Sequence, residues 1–176
     1  MKVRIKRMGE HNLPVPAYET PGAAGMDLRA NLADLDTPGT EWIESGVDIH
    51  PVSKLPTRYI WLFPDAHVYL PVGFAFEIPD GFEGQVRPRS GLAKKHKIVA
   101  WHPIGTVDSD YRGEVMAALH NRGDEPFTIW EGDRIAQLVI APMVRAELVE
   151  VAALGETGRG AKGFGSTGTG SGEVTP

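Results

Sequence analysis

Apolar and polar residues alternate in short runs along most of this 176-residue chain. A period of two belongs to strands with one buried face rather than to helices. Such runs cover Lys2 to Ile5, Glu41 to Ile49, Ala66 to Leu70, Gly73 to Ile78, Gly84 to Arg87, Val115 to His120, Phe127 to Ile129 and Arg134 to Pro142, with Gly and Pro between them. Many short strands punctuated in this way predict an all-β fold, an antiparallel sandwich or barrel-like jelly roll. The best helical candidate is Ser90 to Ile98, two turns at most, with Ser90 as N-cap and Leu92, Ala93 and His96 on one face. From Asn31 to Asp65 the chain is less regular, with Trp42, Trp61, Pro38, Pro51, Pro56 and Pro64, and reads as an elaborated connection rather than a domain.

Length adds an expectation of one well-buried core. Residues 1–154 are assigned to that β domain, the 31–65 elaboration included, and 155–176 to a glycine-rich arm. With 41% hydrophobic and 23% charged residues the composition is globular. No apolar run approaches the roughly 18 residues of a membrane span, and Met1 to Gly9 lacks the apolar stretch of a secretion signal. The expectation is therefore a soluble, cytoplasmic protein without a membrane partner. The absence of cysteine excludes disulfides, thiolate nucleophiles and Cys-based zinc sites. That leaves Ser, Asp, Glu, His, Lys or water to do chemistry. A formal charge of -5 argues against a nucleic-acid partner, so any anionic ligand must meet local arginines.

Two segments concentrate such groups. Residues 105 to 115 read Gly-Thr-Val-Asp-Ser-Asp-Tyr-Arg-Gly-Glu-Val. If extended, they put Thr106, Asp108, Asp110 and Arg112 in one row, an arrangement suited to orienting and deprotonating water. Taken alone, an Asp-x-Asp is more often a surface turn with a local salt bridge. The second segment, Gly155 to Gly172, holds eight glycines in eighteen residues, a composition too costly in backbone entropy to order by itself. A mere spacer has no need of Arg159, Lys162, Phe164, Ser166 and Thr167, which together offer a guanidinium, hydroxyls, open backbone amides and a stacking face. Gly158 to Gly163 matches G-x-G-x-x-G in letters only, since it follows no parallel βαβ unit and opens no helix, and it lacks the Lys-Ser/Thr of a Walker A loop.

Taken in order, five blocks carry a resemblance: Ala24-Gly-Met-Asp-Leu-Arg-Ala30, Arg87-Pro-Arg-Ser-Gly-Leu-Ala93, Gly105 to Gly113, Gly132-Asp-Arg-Ile-Ala-Gln-Leu138 and Arg159 to Gly168. The chain closely resembles the trimeric dUTP diphosphatases, the dUTPases, from about Met1 to Gly168. The resemblance implies a β-clip or jelly-roll homotrimer, with three interface sites and a flexible C-terminal arm that closes over the ligand. It implies hydrolysis of dUTP to dUMP and pyrophosphate with Mg2+, which keeps uracil out of DNA and supplies dUMP for thymidylate synthesis.

By the same resemblance, Asp108 is the catalytic carboxylate that orients and deprotonates the attacking water, with Gln137 beside it. Asp110 is structural. Arg89, Ser90 and Gly91 bind phosphate, Arg159 meets the γ-phosphate, Gly165, Ser166 and Thr167 line the closing arm, and Phe164 stacks over uracil. Tyr111 lies under the deoxyribose and excludes a 2′-hydroxyl. Asp27 contacts Mg2+ through bound water, with no direct protein ligand, as suits an ion held mainly by substrate phosphates. Uracil is read by backbone groups of a hairpin spanning about His102 to Met116, Thr106 and Val107 included. His102 stands where some bacterial relatives carry asparagine, and is given a base-contacting role; taken alone, an isolated histidine is more often structural.

Two other classes stay open. The related dCTP deaminases use a glutamate three residues before the asparagine that closes the following strand, and here that offset from Asn121 lands on Ala118. A non-catalytic dUTP-binding regulatory protein shares most of the binding residues.

Overall fold

The computed structural model describes residues 1–33 and 43–161. Among them run twelve strands and one helix: β1 Arg4–Arg7, β2 Met26–Arg29, β3 Ile43–Ile49, β4 Pro56–Leu62, β5 His67–Pro71, β6 Phe74–Glu77, β7 Phe82–Pro88, α1 Ser90–His96, β8 Ile98–Ala100, β9 Gly105–Val107, β10 Met116–Asn121, β11 Phe127–Trp130 and β12 Arg134–Pro142. All the pairings are antiparallel. The all-β expectation is met.

The long strand β12 is central because its apolar residues are continuous enough to be covered on both edges. It pairs with β2 on one side and β7 on the other, and β9 adds to the far edge of β7, giving the order β2-β12-β7-β9. A second sheet runs β5-β10-β8, a third β11-β4-β3, and β1 pairs with β6. Leu28 and Leu138 from the first sheet, Leu70 and Leu119 from the second, and Ile60, Leu62 and Ile129 from the third lie in one core, all at 2% exposure or less. Each such side chain contributes roughly 1.5–3 kcal/mol by leaving water.

The elaboration at 31–65 is more regular than its prolines suggest. Strand β4 alternates, sending Ile60 and Leu62 into the core while Tyr59 and Trp61 stay on the other face, where Tyr59 packs 5.3 Å from the Trp130 ring. Behind β4, the fully buried Asn121 donates from Nδ2 to the Leu62 and Glu125 carbonyls, each at 2.8 Å, and accepts from Gly123 N–H at 2.8 Å. A buried amide satisfied in this way ties β10 to β4 without leaving polar atoms unmatched.

Helix α1 corrects one expectation. Its N-cap position is Arg89, in extended conformation, and no side chain caps it. Ser90 is the first helical residue, so its hydroxyl is not engaged in capping. Lys94, Lys95 and His96 lie in the last turn, where positive charge complements the helix dipole. Lys97 closes it in the left-handed region at φ 57°.

The chain divides into two compact units, Met1–Val144 and Arg145–Pro176. Within the second, residues 145–161 are exposed and contain neither strand nor helix, with a turn in which Gly160 N–H donates to the Thr157 carbonyl at 3.0 Å. Lys162, Phe164, Gly165, Ser166 and Thr167 lie outside the described residues, as does Trp42. Among the described residues no helix is long and apolar enough to cross a membrane.

Candidate active site

Strand register brings three of the five sequence blocks to one place. Gln137 on β12 stands opposite Asp27 on β2 and opposite Arg87 on β7. At the end of β7 the chain turns into α1, which sets Arg89, Ser90 and Gly91 at the rim. A cavity of about 260 Å³ results, lined by Asp27, Arg89, Ser90, Gly91, Gln137 and Arg134 together with Glu19, Ala23 and Gly25.

The Asp27 carboxylate is the electrostatic centre of this cavity. Its side chain is only 13% exposed, and two guanidiniums bracket it. Arg89 Nε donates to Oδ1 at 3.2 Å, and Arg134 Nη1 donates to Oδ2 at 3.2 Å and pairs with Glu19 at 3.1 Å. Arg89 also donates to the Arg134 carbonyl at 3.2 Å, which fixes its plane. Charge-assisted bonds of this kind are roughly twice as strong as neutral ones. The amides at the start of α1 have no acceptors within the helix, a general property of helix N-termini. Two cations and open amides beside a hydroxyl make an anion-binding surface.

Gln137 is positioned by the same sheet. Its Nε2 donates to the Pro88 carbonyl at 3.2 Å, and its carboxamide lies against Gly25, where a Cβ would come within 2.8 Å of Oε1. Glycine at 25 is thus a requirement of close approach.

Arg134 is the residue that the sequence reading passed over. Three positions from Gln137, it belongs on the opposite face of a regular strand. A register shift between Arg134 and Ala136 rotates it to the cavity side, as bulges re-aim side chains. The signal was Arg134 itself, already inside the fourth block but without a role.

A second cavity, of about 130 Å³, lies between the β5-β10-β8 sheet and the β12-β7-β9 strands. Tyr69, Val86, Arg87, Pro88, Ala100, His102, Gly105, Met116 and Ala118 line it, so His102 and Met116 lie on one cavity. Tyr69 was not foreseen; its hydroxyl lies 2.7 Å from His102 Nε2. Thr106 is exposed on β9, while Val107 is buried.

The 102–116 segment does not fold as a self-paired hairpin. Strand β9 is bonded to β7, and β10 to β5 and β8. Nor is the row of Asp108, Asp110 and Arg112 extended: the chain turns after Val107, with Tyr111 N–H donating to the Asp108 carbonyl at 3.2 Å. Arg112 bonds the Ser109 and Tyr111 carbonyls at 2.6 and 2.9 Å, holding the turn rather than either carboxylate. Asp108 is exposed. Tyr111, 45% exposed, folds over Gly113 and donates to the Glu114 carbonyl at 3.0 Å. Neither Asp108 nor Tyr111 lines either cavity. Arg159 is exposed in the second unit.

A divalent cation would find no cage here, since no cluster of three or more His, Asp or Glu residues suits a metal among the described residues. Asp27 has its oxygens already directed at two arginines. That fits a contact with the water shell of an ion carried by phosphates, not direct ligation.

With this geometry in place, the comparisons decide the family. The dUTPase family model matches residues 55–168. The chain belongs to the dUTPase family. The deoxyuridine 5'-triphosphate nucleotidohydrolase of Rhizobium etli is 52% identical over 164 residues, 93% of this chain and 91% of that one. The Anaeromyxobacter sp. protein of the same name is 49% identical over 168 residues, 94% and 97% of the two chains. Among solved structures, a dUTPase of Staphylococcus bacteriophage 80alpha with dUpNHpp matches with a TM-score of 0.72 at 24% identity, covering 95% of this chain and 98% of that one. This last likeness extends the family assignment to the fold. The dUTPase of phage phi11 of S. aureus is described with a structural Mg(II) ion, at a TM-score of 0.63 and 22% identity over 87% of this chain and 98% of that one.

Proposed function

We propose that this chain hydrolyses dUTP to dUMP and pyrophosphate. The observation that carries the reading is the Asp27, Arg89, Arg134 and Gln137 cavity in a chain of this family, a site built for a polyanion beside a ring-sized cavity. Asp108 orients and deprotonates water for in-line attack on the α-phosphorus, and Gln137 helps to hold that water. A base in reach of the water supplies about 10²–10⁴-fold; fixed guanidiniums and amides supply much of the rest. Arg89, Ser90 and Gly91 bind the triphosphate, and Thr106 and Val107 offer backbone groups to uracil. Met116 and His102 flank the base, and Tyr111 packs under the sugar.

Mg2+ is the proposed cofactor, and when bound it neutralises phosphate charge. Asp27 would hold its water shell. The working unit is a homotrimer with shared sites. Support comes from Asp108 and Tyr111 standing outside the phosphate cavity of their own chain, and from Val144, Leu148, Val149, Val151 and Leu154, which are 54–94% exposed. A single chain leaves these apolar groups in water. Residues 155–176 form the arm, closing with Arg159, Phe164, Gly165, Ser166 and Thr167 on the ligand. The protein acts in the cytoplasm.

Deamination of dCTP is disfavoured by Ala118, whose methyl lines the ring-sized cavity where an acid–base residue is needed. The test is incubation with each deoxynucleoside triphosphate and Mg2+, with pyrophosphate and ammonia measured separately. Pyrophosphate from dUTP alone is expected. Ammonia from dCTP overturns the reading, and tight dUTP binding without turnover converts it to a regulatory one.

A further inference from the structure

The ring-sized cavity carries a feature that its role as a base pocket does not by itself explain. Tyr69, on β5, and His102, in the loop after β8, both line it, and their side chains are joined by the 2.7 Å contact between Tyr69 Oη and His102 Nε2. Their rings stand 5.9 Å apart at 49°, so the two meet through the polar atoms rather than by stacking. The His102 side chain is exposed, and a hydrogen bond this open adds little to folding. Its consequence is chemical: with the hydroxyl as donor, Nε2 is the bare nitrogen and the proton sits on Nδ1.

A neutral imidazole has one donor and one acceptor nitrogen, so a donor held at one nitrogen leaves the proton on the other. We infer that Tyr69 is a specificity-determining positioning residue: its hydroxyl donates to His102 Nε2, leaving Nδ1–H as a donor for a carbonyl oxygen of the bound pyrimidine. The cavity suits one six-membered ring, since a cavity on the order of 150 Å³ accepts benzene. Its lining is mostly apolar, with Val86, Ala100, Met116 and Ala118 beside the pair, and the one cation in it, Arg87, turns its Nε and Nη2 to Gln85. Beside this lining a donor held in one orientation favours a carbonyl over an amino group. Uracil presents a carbonyl at C4 and is accepted. Cytosine presents an amino group there, which would face donor to donor and leave both unpaired.

This inference rests on the dUTP reading for its substrate, so binding and turnover are measured separately. Calorimetry with dUMP and dCMP reports the base contact without any chemistry. Tyr69→Phe, which keeps the ring and removes the hydroxyl, is expected to weaken dUMP about tenfold and to reduce the dUMP over dCMP preference by a similar factor. In steady state the loss falls on KM for dUTP, with kcat within about twofold. His102→Asn carries its own amide donor, so Tyr69→Phe in that background is expected to change dUMP affinity by less than about twofold. Long-range ¹H–¹⁵N spectra of the wild type should show His102 protonated on Nδ1 and bare on Nε2. Thermal midpoints serve as the folding control.

An Nε2–H tautomer, or unchanged dUMP affinity and base preference in a folded Tyr69→Phe variant that still turns over dUTP, overturns the inference and leaves the hydrolysis reading intact. Absence of wild-type turnover, with dUMP binding still weakened by Tyr69→Phe, strikes the hydrolysis reading alone.

Discussion

The carboxamide of Gln137 occupies the space that a side chain at Gly25 would need: a Cβ there lies 2.8 Å from Gln137 Oε1 and 3.2 Å from Gln137 Cβ. Gly25→Ala forces the amide away from the Pro88 carbonyl and from the place proposed for the attacking water. Displacements near 1 Å cost catalysis about 10²-fold, whereas an alanine on a partly exposed loop perturbs folding little. Pyrophosphate release should show kcat/KM for dUTP lowered at least tenfold with the thermal midpoint nearly unchanged. Equal activity would mean that Gln137 has no role in the reaction.

Asp108→Asn keeps the size of the side chain and its place after β9 but removes the base. Turnover of dUTP is expected to fall by about 10²–10⁴-fold with substrate affinity retained. Rapid-quench turnover and equilibrium binding, run on one preparation, separate the two quantities. A parallel loss of both would make Asp108 a binding group instead.

Tyr111 rests on a glycine in the same manner as Gln137. A Cβ on Gly113 would stand 2.3 Å from Tyr111 Oη and 2.5 Å from Cζ. Gly113→Ala must therefore displace the ring, and the preference for dUTP over UTP is expected to drop by an order of magnitude or more when UTP hydrolysis is assayed. Tyr111→Phe removes only the bond to the Glu114 carbonyl and should keep most of the discrimination. The reverse ranking would assign selectivity to the hydroxyl.

Stability should depend on pH through Glu131. Burial pushes its carboxyl above the ordinary value of 4.5, against the opposing pull of the hydrogen bond from Leu32 N–H and of the charges on Arg58 and His11. A raised pKa in the folded state means that the protonated form is favoured by folding. This contribution is complete below pH 4.5 and is lost as pH rises through the folded value. The midpoint of Glu131→Gln relative to wild type should therefore become more favourable between acid and neutral pH. A difference that stays constant across that range would remove burial as the governing effect.

Much of this fold was legible because its strands obey period-two patterning: β5, β6, β10, β11 and β12 lie within a residue or two of their apolar runs. Strands β2, β8 and β9 escaped, being three or four residues long and held by pairing to neighbours rather than by their own composition. Strand β4 was hidden by the prolines around it, although Ile60 and Leu62 carry the alternation. At the site, the first, second and fourth blocks meet around Asp27, while Asp108 and Tyr111 of the third stand apart from that cavity. What they could not give was geometry that depends on exceptions: the β12 bulge that turns Arg134 inward, the turn that breaks the Asp108 to Arg112 row, and the pairing of Tyr69 with His102 across 33 positions. Local periodicity presumes regular backbone, and each of these is a departure from it or a long-range contact.

The bracketing of Asp27 by Arg89 and Arg134 gives the phosphate cavity a resident counter-anion. On the proposed reading, an arriving triphosphate does not meet bare cations; it exchanges with a carboxylate that is already there. Asp27 offsets the repulsion between the two guanidiniums, and the free energy of binding expected of a polyphosphate is the difference between two anions rather than the full attraction of one. Leaving is eased by the same exchange, because the departing polyphosphate hands the guanidiniums back to a partner fixed on the adjacent strand.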